Sequence, residues 1–212
     1  MKDIIFCDLE TLVKNKEINE IGLVYNQREL RTSSINESKD FILSCNSDFI
    51  SGHNFIDFDL EIIRDTSLYK DINNHHIIDT LPLSLLLFNE RTIHSLPKNY
   101  KSEDDFQNNP VEDSKITAIL FDKLIERFKT LPQDTKNIFY SLLHEDKYFK
   151  GFFEYLKEDF LFQKLEFYDL YSLIKLEHKN TIVNFEYLKE VIQNYKIQLA
   201  YILALLTPYI EI

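Results

Sequence analysis

Residues 4–12 read IIFCDLETL, an apolar run interrupted by two acids, Asp8 and Glu10, one residue apart. Side chains alternate along a strand, so both carboxylates project to the same face, with α-carbons about 7 Å apart. Two like charges held together there raise each other's pKa and are poorly solvated, a conflict that a bound cation resolves. With oxygen ligands alone, the cations that fit are Mg²⁺ and Mn²⁺. The competing reading is that the strand stops at Asp8 and DLET is a solvated turn.

Outward from this stretch, residues 3–12, 17–26 and about 28–35 read as three short strands broken by KNKE and NQRE, the pattern of an antiparallel meander. ESKDFILSC (37–45) reads as a helix, DFISGHN (48–54) as a strand ending in Gly52, and DFDLEIIRDTSLY (57–69) as a helix with Leu60, Ile63 and Leu68 at helical spacing. HHIIDTL (75–81) is a further strand and PLSLLLF (82–88) an apolar helix. A meander followed by strands separated by helices is a mixed α/β pattern. Residues 89–107 form a polar connection longer than a turn, a kind of segment that often carries function. NNPVEDS (108–114) opens the next helix: Asn109 is the expected N-cap, Pro110 occupies the first helical position, Glu112 is placed to close a capping box, and Asp113 falls in the first turn. Beyond residue 130 the pattern is helical and rich in aromatics, so the expected organisation is an α/β domain over 1–129 and a helical extension over 130–212.

Composition narrows the function classes. The 24 basic and 35 acidic residues give a net charge of −11, which opposes broad electrostatic binding of nucleic acid. Divalent ions held between carboxylates supply local positive charge, so an acidic protein can still act on a phosphodiester. Cys7 and Cys45 lie in apolar contexts without metal-ligand spacing, and the expectation is buried free thiols in a reducing cytoplasm. No signal segment or membrane span is expected, since the longest apolar run is too short to cross a bilayer.

Two further acidic stretches stand where strands give way to helices. GHNFIDFD (52–59) supplies Asp57 and Asp59, either of which suits a ligand role, with Asp59 preferred; NNPVEDS supplies Asp113. In this order the motifs resemble those of the DEDD, or DnaQ-like, 3′→5′ exonuclease superfamily. That family carries D-x-E on its first strand, a G/H-N stretch leading to F-D, and an Asp in a late helix. IIDTLPLS (77–84) is similar to the strand and helix between the second and third motifs. The likeness spans residues 3 to about 127. Residues 94–114 and the aromatic tail are most similar to the exonuclease-like domain attached to bacterial RecQ-like helicases.

The resemblance implies an RNase H-like mixed β-sheet flanked by helices, with a C-terminal α-helical extension. It implies two Mg²⁺ or Mn²⁺ ions about 4 Å apart between Asp8, Glu10, Asp59 and Asp113, with Asp8 bridging. The implied activity is two-metal hydrolysis of single-stranded DNA or RNA 3′ ends to nucleoside monophosphates, in DNA repair, with a helicase as partner. The chain departs from the family at the general base, a His five residues or a Tyr four residues before the third-motif Asp. Those positions hold Asn108 and Asn109, neither of which accepts a proton at neutral pH. Three alternatives stand: slow hydrolysis with Asn108 orienting a metal-activated water, a substitute base from the 89–107 connection in His94 or Lys101, or a docking module that keeps the fold without catalysis. His53 is expected to help shape the site or to serve as a core histidine, His75 and His76 to lie in a solvated turn, His144 and His178 on helix surfaces, and Asp79 to cap. Phe152, Phe153 and Tyr155 are expected in a packed core rather than stacked on bases.

Overall fold

The computed structural model describes residues 3–12, 17–97, 109–177 and 184–206. It is a mixed α/β structure that divides into two compact units, Met1–Pro82 with Ser95–Lys123, and Leu83–His94 with Leu124–Ile212. Sequence patterning put one break at 129/130; each of the two units is made of two stretches of chain, and the helices Thr80–Leu87 and Pro110–Thr130 each contribute residues to both.

The first unit holds a five-stranded sheet in the order β3-β2-β1-β4-β5. Strands β1 (Ile4–Thr11), β2 (Ile18–Tyr25) and β3 (Arg28–Thr32) form the expected antiparallel meander. β4 (Phe49–Gly52) and β5 (His76–Asp79) add to β1 in parallel. β3 stops at Thr32 because Thr32 Oγ1 accepts the Ser34 N–H and Ser34 Oγ accepts the Glu37 N–H, which starts helix α1 (Ile35–Leu43) earlier than the apolar spacing suggested. The helix expected over 57–69 is three pieces: a π-helical turn (Phe55–Asp59), α2 (Leu60–Ile63) and α3 (Ser67–Ile72). The break comes at Thr66, whose backbone is extended and whose hydroxyl turns back onto the Ile63 carbonyl.

Alternation along β1 separates two environments. Ile5, Cys7 and Leu9 are buried with Ile21, Leu23, Ile42, Ile63, Leu68 and Ile72, so α1 to α3 cover that face. The opposite face carries Phe6, Asp8 and Glu10. There Phe6 meets Phe121, ring centroids 6.3 Å apart, on the long helix α5 (Pro110–Thr130). α4 (Thr80–Leu87) begins directly after β5. Pro82 sits in its first turn, where the missing N–H has no helical partner to lose.

The second unit contains α6 (Gln133–Leu143), α7 (Lys150–Leu156), α8 (Phe167–Glu177) and α9 (Phe185–Leu206), the last kinked at Tyr195. Its core is aromatic: Phe128 meets Phe152, Phe153, Phe160 and Phe162, and Tyr140 lies flat on Phe162 at 4.8 Å. Phe152, Phe153 and Tyr155 are buried, as expected of a packed core. Lys136 is buried too, its Nζ donating to the Lys129 carbonyl at 2.9 Å, and burial lowers its pKa.

Several smaller expectations are corrected. His76 belongs to β5 and lies against Phe49, and His75 bonds the Asp71 carbonyl. His144 stacks on Tyr140 rather than standing free on a surface. Cys7 is buried, but Cys45 is half-buried; both are free thiols. His178 lies outside the described residues. Among the described residues, no helix is long and apolar enough to cross a membrane.

Candidate metal centre

The site forms where β1 and β4 part. Their pairing ends at Phe6 and Ser51, so the Leu9 N–H beyond it needs another acceptor. Asp59 supplies it: its Oδ1 accepts from Leu9 N at 2.9 Å, and the residue is 2% exposed. The chain reaches this point by a tight turn. Asn54 adopts the left-handed conformation at φ 60°, and the π-helical turn closes with Leu60 N–H donating to the Phe55 carbonyl. The wider π turn shifts the phase of the side chains along it, and Asp59 is buried while Asp57 is exposed.

Asp79, at the end of β5, clamps this turn. Its Oδ1 accepts from Asn54 N and Leu81 N at 2.9 and 3.0 Å, and its Oδ2 from Ile56 N at 2.9 Å. It is thus both the N-cap of α4 and the acceptor for the Asn54–Ile56 backbone. Burial raises its pKa, against the pull of those three N–H groups. Beside it, the Thr80 hydroxyl donates to the Gly52 carbonyl at 3.1 Å and so accepts from His53 Nδ1–H at 2.9 Å. His53 is therefore tied to the local scaffold. Asp79→Ala is expected to destabilise the protein by about 2 kcal/mol, because three donors lose their acceptor. Chemical denaturation measures this; a cost within error of zero would show that the clamp contributes nothing.

Asp113 arrives from the other side. Asn109 Oδ1 accepts the Val111 N–H at 3.2 Å and its carbonyl accepts the Asp113 N–H, so α5 starts where Asn109 and Pro110 indicate. Glu112 is bonded to Lys115 Nζ at 2.9 Å. The helix start lies directly on β2: a Cβ at Gly22 would stand 2.2 Å from the Pro110 carbonyl carbon, and Ser114 Oγ donates to the Gly22 carbonyl at 3.1 Å. Gly22 was not singled out from sequence, although a glycine inside a strand is the usual mark of a close backbone approach. Asp113 is 1% exposed.

Carboxylate oxygens of Asp8, Glu10 and Asp113 all lie within 4.8 Å of one another. The three could hold a metal ion, in a set of hard oxygen donors suited to Mg²⁺ or Mn²⁺. Asp59 stands outside this group but acts on it electrically: burial, and then the charge of Asp8, pushes its carboxyl well above the ordinary range, with the Leu9 N–H opposing. The Cys7 thiol is raised by burial and then by Asp59 and Asp8. In both, burial is the larger cause, and the neighbouring carboxylates add to it.

Of the other sequence-derived candidates, Asn108 and Lys101 lie outside the described residues. His94 belongs to the second unit, where Nδ1 bonds Ser84 Oγ at 2.8 Å and Nε2 donates to the Arg91 carbonyl at 3.1 Å. No protein-family model, curated protein or solved structure matches this chain.

Proposed function

We propose that the first unit is a divalent-metal-dependent 3′→5′ exonuclease of RNase H-like fold. One observation carries this reading: Asp8 and Glu10 on a central strand and Asp113, about a hundred residues further along the chain in the first turn of a long helix, converge. The strand order β3-β2-β1-β4-β5, with β1, β4 and β5 parallel, supports the fold assignment. Asp8 and Glu10 also lie past the point where the parallel pairing of β1 with β4 ends, at Phe6 and Ser51.

In this reading Asp8, Glu10 and Asp113 hold Mg²⁺ or Mn²⁺, with Asp59 adding its charge from the buried side. The bound ions supply Lewis-acid activation of water and stabilisation of the leaving 3′ oxygen. The protein's part is to fix the carboxylates: the strand sets Asp8 and Glu10 side by side, and the Gly22 contact seats Asp113 against them. The cations also offset the negative charge of the protein where the phosphodiester of a single-stranded DNA or RNA 3′ end approaches. A helicase is the partner that the sequence resemblance suggests.

The test is incubation of a 3′-labelled single strand with Mn²⁺. Wild type is expected to release nucleoside monophosphates, and Asp113→Asn to slow this by about 10²-fold or more, the scale of losing metal-derived charge stabilisation. Absence of product with any divalent ion would overturn catalysis. The Asn at the usual base positions favours a second reading, a docking module without catalysis. That reading is supported by Mn²⁺ binding that yields no product.

A further inference from the structure

We propose that Glu20 is a reserve carboxylate of the Asp8–Glu10–Asp113 centre and that Arg31 holds it in reserve. The inference rests on the metal-binding part of the proposed function. Antiparallel register sets Glu20 on β2 directly opposite Glu10 on β1. Such partners project to the same face with Cβ atoms about 4.5–5.5 Å apart, so two glutamates there can converge on one ion. Directly opposed like charges also weaken a strand pair unless they are compensated.

For Glu20 the compensation is in place. Arg31 on β3 donates to its Oε2 from Nε at 3.1 Å and from Nη2 at 2.6 Å. Register explains how the arginine reaches it. Asp8 faces Gly22, and Gly22 faces Arg31, so the three form one row across the site face of the sheet with no side chain at its middle position. From that row the guanidinium extends diagonally to Glu20.

Arg31 thereby turns Glu20 away from the three-carboxylate group, of which it is not a member. The chemical effect is to cap the number of protein ligands and leave coordination positions to water and substrate oxygens. The pair is partly exposed, with side chains 39% and 29% accessible. Such an ion pair is weak, so a single substitution suffices to release the glutamate.

The experiment is Mn²⁺ titration of the full chain, by calorimetry or by the electron paramagnetic resonance signal of the free ion. Arg31→Gln is expected to tighten Mn²⁺ binding about three- to tenfold, the scale of one added charge contact under aqueous screening. Glu20→Gln alone is expected to bind Mn²⁺ no more tightly than wild type, because it adds no ligand and leaves the Arg31 charge uncompensated, and Arg31→Gln combined with Glu20→Gln is expected to lose the gain. If tightening persists in the double variant, it comes from deleting a positive charge and the proposal is overturned. Unchanged or weaker binding by Arg31→Gln overturns it equally, and marks Arg31 as a purely structural tie between β2 and β3. Should Arg31→Gln not fold, Arg31→Lys serves: an intermediate gain cancelled by Glu20→Gln supports the proposal, and no gain overturns it. Wild type that binds no Mn²⁺ brings down this inference and the metal-centre reading together. Wild type that binds Mn²⁺ but releases no nucleotide removes only catalysis, and the titration decides the role of Glu20 independently.

Discussion

Replacing Gly22 with alanine is expected to lower the melting temperature by about 10 °C and to abolish the Mn²⁺ response of the protein. The added Cβ would lie 2.2 Å from the carbonyl carbon of Pro110, and 2.4 Å from both the Pro110 oxygen and the Val111 nitrogen. All three atoms are backbone, at the start of a helix, so no side-chain rotation relieves the overlap. Gly22 has no positive φ, and the requirement is therefore one of space and not of backbone conformation. Strand β2 and the first turn of α5 must separate, at about 3 kcal/mol or more, the upper range for overpacking. The same movement breaks the Ser114 bond to the Gly22 carbonyl and carries Asp113 away from Asp8 and Glu10. Thermal melts with and without Mn²⁺ measure both effects. A variant that melts like wild type and still responds to the ion would show that α5 does not pack on β2 in this way.

Asp8→Asn is expected to change stability in opposite directions depending on the metal. Without divalent ions, Asp59 titrates in the fold well above its ordinary value of 3.8, because of burial and then of Asp8. The native state therefore holds that proton more tightly than the unfolded chain does. Stability is full below about pH 4 and falls as pH rises toward the elevated native value. Removing the Asp8 charge reduces the elevation, so in chelator the variant is expected to lose less stability on going from pH 4 to pH 8. With Mn²⁺ at a hundred times its dissociation constant, wild type gains about 2.7 kcal/mol and the variant, lacking a ligand, gains close to none. Melts across this pH range in chelator and in Mn²⁺ show both arms. Wild type indifferent to Mn²⁺, or a variant with a steeper pH dependence in chelator, would exclude this arrangement of charges.

Local physics made parts of this protein readable from sequence. The period of two along residues 4–12 puts Asp8 and Glu10 on one face whatever surrounds them. Asn109 and Pro110 start a helix through bonds to the next few residues, which sets Asp113 in its first turn. Where a non-periodic backbone bond intervened, the reading slipped: the helix expected over 57–69 broke at Thr66, and α1 began earlier because Ser34 caps it. The exposure of Asp57 and burial of Asp59 follow from a π turn that apolar spacing does not encode.

What the sequence determined by itself is the identity of the acids, their faces and their places at element ends, because strand alternation and helix capping act within a few residues. Only the tertiary structure decided that Asp8, Glu10 and Asp113 meet, that Glu20 turns instead to Arg31, and that His94 is tied to Ser84 and Arg91. The first two outcomes depend on strand register and on how closely α5 approaches Gly22. Both are settled by packing between segments distant in the chain, where no local propensity reaches.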